Sequence, residues 1–459
     1  MQTQFSKDEI MGFTRDLYNM GFIRSGAKED IQTRDYILDK FNRFGLKDVK
    51  VDPVPFIGWD AAHCRLAVYG NGKSATFPVE PWFYTAFTPH GGLETRLVDV
   101  GFGDKKDFEG KDVAGKIAIV EFNFGEISFS ILETIAKYKY DPGDTLKQHR
   151  QVMNWRNELV EEVYKNAVAA GAAGVIGVIP FNTTVYMRCE ECDFTTGVTG
   201  AIPGVTIRQR DAKILKELVN SGTNMGHLVL SGALQPGQTY SVYGKIPGKT
   251  DNIMMVASHN DSMWLGATED AAACAIVLAL ARYYAARPEK TLNYTLLFNL
   301  EASEQLRALG GQTFIQAHKN DIMKKYVIDL HVEHICREFV YKDGVLVDTG
   351  LPQPRAVFVT ENDKLMDIVY QAIRKNDIRR TLVMSTKTPL GVPTDAHHYD
   401  AAGYPVISFV SAPAYWNALE DTIDKVNQDD LAPVAEAFRE IIEEVDKIDP
   451  HEIRKDLPK

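Results

Sequence analysis

Three apolar runs in the second half of the chain each stop at a cluster of polar side chains. Residues 253–258 lead into His259, Asn260 and Asp261, and residues 291–300 lead into Glu301, Glu304 and Gln305. Residues 326–330, with Asp329 inside the run, lead into His331, Glu333 and His334. Short apolar runs separated by helical patterns predict a mostly parallel sheet covered on both faces. After Glu269 and Asp270 a long apolar helix is predicted, extending to Ala286. Residues 5–23 and 28–44 repeat apolar positions at helical spacing, with Ser6 as N-cap of the first and Gly45 closing the second.

Strands are predicted at 47–56 and 64–69, followed by a Pro- and aromatic-rich segment at 80–92. From Leu97 the texture changes to short β runs at 115–122 and 201–207 around one small-residue helix at 161–170. Residues 128–158 interrupt this region with a polar and aromatic helical stretch, readable as a lid, a dimer contact or a solvated surface insertion. A new strand at 240–246 leads back to the central stretch. Beyond it come a hairpin around Asp343-Gly344, helices near 312–318, 363–375 and 430–445, and a strand at 405–410. The fold class expected is α/β, with a mostly parallel sheet built from residues 1–91 and 236–459 and a mainly β insert at 92–235.

Composition narrows the function classes. A formal charge of -11 with no basic run argues against nucleic acid or an anionic membrane surface as a partner. The opening residues, MQTQFSKDEI, lack the basic and apolar regions of a signal peptide, and the longest apolar helix is too short to span a bilayer, so a cytoplasmic protein is expected. Five cysteines over 459 residues make no disulfide framework; Cys189 and Cys192 form half a zinc-finger pair, read as a loop feature rather than a metal site.

In parallel sheets the carboxyl ends of strands and the helix N-termini beside them form the ligand crevice, which is where His259, Asp261, Glu269 and Asp270 fall. Taken alone, this stretch is equally a capped helix beside a satisfied histidine. With the clusters at 301–305, 329–334, 393–405 and 417–422, the pattern resembles the zinc exopeptidases that include leucyl aminopeptidases, glutamate carboxypeptidase II and glutaminyl cyclase. The resemblance is carried by HNDS (259–262), GATEDAAA (266–273), LALAR (278–282), FNLEASEQLRALGGQ (298–312) and DTIDKV (421–426). The segment from about 92 to 235 is similar to the protease-associated domain often inserted in that fold.

The resemblance implies that His259 is a metal ligand, that Asp261 orients its ring and that Glu304 is the general base. It also shows departures. Glu269 stands where the family has a bridging Asp, Gln305 and Asn417 stand at positions of terminal metal ligands, and His331 stands where a metal-binding Asp is found. One divalent ion on His259, Glu269 and His331 is therefore expected, most simply zinc, with manganese, cobalt or iron as alternatives. Gln305, Asn417, His398 and Asp270 are the substrate-binding candidates, Glu301 is an alternative base, and Glu333 is expected to be solvated. The function implied is hydrolysis of a C–N bond in a small-molecule or short peptide-like substrate, by a chain able to form a homo-oligomer. Two alternatives stay open: an ordinary two-metal aminopeptidase, and a non-catalytic binding protein of the transferrin receptor ectodomain kind.

Overall fold

In a computed structural model that describes residues 4–154 and 157–457, most of the strands join into one continuous sheet, and two short pairs stand apart from it. Met1 to Thr3 of the opening segment, and Trp155 and Arg156 of the 128–158 stretch, lie outside the described residues. Four neighbouring strands run parallel at the centre: Thr295–Glu301, Ile253–His259, Tyr326–Val332 and Val406–Ser411. All four are buried on both faces, which accounts for the near-continuous apolar runs. Antiparallel strands flank this set, with Met225–Ile246 on one side and Arg355–Val359 on the other.

Alternation along the strands sorts their side chains between two cores. Met254, Val256, Leu296, Phe298, Ile328 and Leu330 face one core, built with helices Lys7–Tyr18, Lys28–Phe44, Ala272–Ala285 and Gln428–Val445. Met255, Ala257, Leu297 and Tyr326 face the other, with Phe314 of helix Leu309–Ala317 and Tyr399 of helix His397–Ala401. Helix Ala272–Ala285 is buried on nearly every side, so its uniformly apolar sequence needs no membrane to explain it. Among the described residues no helix is long and apolar enough to cross a membrane. Ser6 caps the first helix by accepting from the Glu9 N–H at 3.4 Å, and Gly45 ends the second in the left-handed region at φ 91.

Two sequence expectations are corrected. The strands read at 47–56 and 64–69 are one strand, Lys47–Gly70, because it pairs along almost its whole length with Met225–Ile246, of which only 240–246 was expected as strand. This long ribbon links the four central strands to a second parallel set, in which Leu93–Gly101, Ile117–Glu121, Gly174–Ile179 and Gly204–Arg208 run side by side. Helix Asn157–Ala169 precedes Gly174–Ile179 and helix Gln209–Asn220 follows Gly204–Arg208, so residues 92–235, expected to be mainly β, are α/β in build.

The second correction concerns residues 128–158. Only Phe129–Ile135 is helical in the first half of this stretch; Tyr138–Tyr140 is a strand that pairs antiparallel with Thr381–Ser385 and covers the sheet edge. Phe129, Leu132 and Leu146 bury themselves against Phe358, Leu382 and Met384, while Tyr138 stacks on Tyr370 with ring centroids 4.6 Å apart. A further anchor is Glu338, which lies 2.6 Å from His149 Nδ1 and accepts from Arg380 at 2.9 Å. The stretch is a strap from insert to sheet edge. Leu146→Ala is expected to cost about 2–5 kcal/mol by opening a cavity in this cluster. Ile131→Ala, on a side chain 58% exposed, is expected to stay within about 0.5 kcal/mol, both read from urea-unfolding midpoints.

Candidate metal centre

The face carrying Met255 and Ala257 turns polar at the carboxyl ends of the strands. His259, Asn299, Glu301, Asp329, His331 and Glu333 follow the same alternation and stand in one buried layer. Two groups within it have metal-binding spacing: His259 with Glu269 and His334, and His331 with Glu333 and Asp395.

In the first group both rings present Nε2. The His259 Nδ1 lies 3.1 Å from the Asp261 carbonyl and that of His334 lies 2.5 Å from the Ser411 carbonyl; a carbonyl only accepts, so each Nδ1 carries the proton and each Nε2 keeps a lone pair. The Glu269 Oε2 stands 3.6 Å from His334 Nε2, and its other oxygen accepts from Gln305 Nε2 at 3.0 Å. His259 Nε2 and Glu269 Oε2 are buried without a hydrogen-bond partner among the described residues. Unsatisfied buried lone pairs aimed at a common point are costly, and a divalent cation would satisfy them. The donor set of two imidazoles and one carboxylate fits zinc.

Glu269 is held from below. Asp421 accepts from the Thr268 N–H, the Thr268 hydroxyl at 2.9 Å and the Glu269 N–H at 3.0 Å, fixing the turn before the apolar helix. The Asp261 carboxylate does the same for the turn carrying Glu304 and Gln305, accepting their N–H groups at 2.9 and 3.3 Å. It lies 3.6 Å from His259 Nδ1, so one side chain braces both the ring and the turn. That turn has Ser303, Arg307 and Ala308 in the left-handed region, at φ 67, 59 and 50. The insert closes over it: Arg188 donates to the Gln305 carbonyl, Glu190 accepts from Arg188 and from Arg307 Nε at 2.7 Å, and Tyr186 reaches the same carbonyl at 3.4 Å.

The electrostatics favour positive charge throughout. Burial pushes the Glu304 carboxyl up to about 7, with His259 opposing and Asp261 adding to the rise. Burial and then Glu304 raise Glu269 well above the carboxylate range, and burial followed by Glu333 does the same for Asp395. Burial disfavours a charge on His259, yet Asp261, Asp270 and Asp395 outweigh it and raise its pKa well above the usual value, so positive charge at Nε2 is favoured, whether a proton or a metal ion on its lone pair supplies it.

His331 corrects the sequence reading. It does not join His259 and Glu269: strand alternation sets it between Asp329 and Glu333, with Nδ1 3.3 Å from Asp329 Oδ2 and Nε2 3.3 Å from Glu333 Oε1. His334 takes that place because its backbone turns left-handed, φ 57, just past the strand, and its N–H donates to Asp270 Oδ1 at 3.0 Å. Periodicity alone does not encode that turn. Glu333, expected in solvent, is buried; it accepts from the Asp395 N–H at 3.1 Å, and the His331 imidazole beside it outweighs burial, pulling its carboxyl down to about 2.

Other candidates are engaged by the protein. Both Asp270 oxygens are used, by the Ser258 hydroxyl at 2.5 Å and the His334 N–H, which removes it from substrate contact. His398 is bonded to the Arg307 carbonyl at 3.0 Å and sits 3.2 Å from the Gln312 amide. Glu301 is fully buried, and one of its oxygens accepts from Tyr399 at 2.5 Å and Asn299 at 2.9 Å. Asn417 is buried near the site, its carbonyl accepting from Trp264 Nε1 at 3.1 Å and the Tyr186 N–H at 2.8 Å. The supporting roles of Asp421, Arg188 and Glu190 were not read from sequence. The i, i+2 spacing of Asp329, His331 and Glu333 was a usable signal for their shared face.

Comparison with known proteins supports the fold. Residues 241–442 match the model of peptidase family M28. BSAP, a zinc aminopeptidase from Bacillus subtilis, is 18% identical and superimposes with a TM-score of 0.70, covering 100% of each chain. A peptidase M28 precursor from Shewanella amazonensis is 21% identical with a TM-score of 0.70, over 99% of this chain and 95% of that one. An aminopeptidase from Aneurinibacillus sp. strain AM-1 is 19% identical with a TM-score of 0.62, over 96% and 93%. No curated protein matches the chain. The layer of histidines and carboxylates at the sheet's carboxyl edge lies wholly within residues 241–442, the part of the chain that matches the model of peptidase family M28.

Proposed function

We propose that the chain is a metal-dependent hydrolase that cleaves the C–N bond of a peptide or peptide-like amide. The match to the M28 model supports a peptidase, and the zinc aminopeptidase BSAP of the same fold supports zinc as the ion. The observation that carries the reading is the meeting of His259 Nε2, Glu269 Oε2 and His334 Nε2, two of them buried without a partner among the described residues, beside Glu304. A zinc ion held by these three would polarise a carbonyl and lower the pKa of a bound water toward ~7.

Glu304 is the residue that moves the proton. Its Oε2 is buried without a hydrogen-bond partner among the described residues, so it is free to take a proton from the attacking water and deliver it to the leaving nitrogen. A carboxyl raised to about 7 by burial accepts and releases a proton near neutral pH. Asp261 and the Arg188–Glu190 pair hold the turn so that this carboxyl keeps its direction; Gln305 keeps one Glu269 oxygen occupied and leaves the other for the ion. Residues 92–235, read as a protease-associated insert, thus act on the chemistry by bracing the turn from above.

The group of His331, Glu333 and Asp395 supports a second reading, a two-metal site, because Asp395 Oδ2 is buried without a hydrogen-bond partner among the described residues. We favour one ion. A protonated His331 between Asp329 and Glu333 already supplies a positive charge where a second ion would sit, and its pKa is raised well above the usual value by those carboxylates against burial.

Elemental mass spectrometry of tag-free protein should find about one equivalent of divalent metal, lost in His334→Ala and kept in His331→Ala. Two equivalents, with one lost in His331→Ala, would establish the two-metal reading instead. Glu304→Gln should lower kcat by about 10²–10⁴-fold on a peptide substrate with metal content unchanged. If Glu301→Gln produced that loss and Glu304→Gln did not, the base would be misassigned.

A further inference from the structure

Beside the metal centre lies a cavity of ≈ 340 Å³ whose walls come from the N-terminal segment, the long ribbon, strand Glu80–Phe83 and the loops at 262–264 and 305–306. Its size suits one amino-acid residue. Gln305 is the wall it shares with the site, since the same side chain donates to Glu269. Trp59, Phe83, Tyr84 and Trp264 make most of the remaining surface apolar and aromatic.

One guanidinium stands in this apolar wall. Arg24 lies over the rings of Trp264 at 5.0 Å and Phe22 at 5.4 Å, and its Nε donates to the Met263 carbonyl at 3.0 Å. Among the described residues neither terminal nitrogen has a hydrogen-bond or ion-pair partner, although burial disfavours the charge. The two carboxylates that also line the cavity act on Arg24 only through space and form no hydrogen bond or ion pair with it among the described residues: Asp60 is exposed and accepts from Gln235, and Glu80 is drawn more strongly by Arg208 than by Arg24. A half-buried guanidinium set in an apolar wall with its fork unused is matched by a planar anion.

We propose that this cavity is a specificity subsite for the carboxylate-bearing half of the substrate, an amino acid with a bulky apolar or aromatic side chain whose carboxylate pairs with Arg24. This deepens the hydrolase reading and rests on it for the identity of the bond cleaved: the amide nitrogen of that amino acid would face Gln305 and the metal centre. The substrate class is then N-acyl amino acids and short peptides with a free carboxyl end. Trp59, Phe83 and Trp264 supply apolar contact area, and Arg24 supplies orientation.

Binding tests the subsite without any hydrolysis, using probes that contain no amide bond: 3-phenylpropanoate, neutral 3-phenylpropan-1-ol and cationic 3-phenylpropylamine. Calorimetric titration of the metal-loaded full chain is expected to show the propanoate binding tightest, about 10- to 100-fold weaker in Arg24→Gln, and unchanged in His334→Ala. Arg24→Lys, which keeps the charge but loses the fork, should fall between, and covers the case where Arg24→Gln unfolds. The proposal is overturned if the amine or the alcohol binds as well as the propanoate, if Arg24→Lys and Arg24→Gln both bind like wild type, or if His334→Ala abolishes binding and so assigns the carboxylate to the metal. Failure of the hydrolase reading would leave this result untouched, because none of the probes has a bond to cleave.

Discussion

The structure depends on the need to balance negative charge inside one buried layer. Asp261, Glu269, Asp270, Glu333 and Asp395 converge at the carboxyl edge of the sheet with little access to water, and at close range in such surroundings like charges repel strongly. Hydrogen bonds from Ser258, Thr394's neighbour Asp395 N–H, Gln305 and the turn at 304–305 offset part of this. The remainder falls on lone pairs without partners, notably His259 Nε2 and Glu269 Oε2. A cation is the simplest group that satisfies them together, and the raised pKa of Glu269, Glu304 and Asp395 is the same demand for positive charge seen from the protons' side.

That demand explains why the layer is braced so heavily. Ser303, Arg307 and Ala308 hold a left-handed backbone that non-glycine residues adopt only when neighbours enforce it. Asp261 enforces it from the peptidase-like sheet, and Arg188 with Glu190 from the insert. The insert in turn is tied at two places, by the long ribbon of Lys47–Gly70 with Met225–Ile246 and by the strap that pairs Tyr138–Tyr140 with the far edge of the sheet. Displacing the insert would therefore move Glu304, though no residue of the insert belongs to the metal group.

Much of this was legible in the residues. The apolar strands and the polar clusters that end them placed His259, Glu301 and the 329–334 cluster at one edge, and the helices at 28–44 and 363–375 follow from their periodicity and their flanking residues. What escaped was set by backbone or by distant partners. The left-handed turn at His334, which exchanges it for His331 beside Glu269, depends on the buried Asp270 carboxylate 64 residues away in sequence. Glu333 looked like a surface residue until Asp395 and His331 enclosed it. The strap carries short strands whose pattern is too brief to read, and its apolar residues make sense only against Phe358, Leu382 and Met384.

Anomalous diffraction from crystals of the zinc-loaded protein, recorded on either side of the zinc absorption edge, tests the central claim most directly. The account predicts a single strong peak at about 2.0–2.2 Å from His259 Nε2, Glu269 Oε2 and His334 Nε2. A peak confined to His331, Glu333 and Asp395, or none in the crevice, would contradict it.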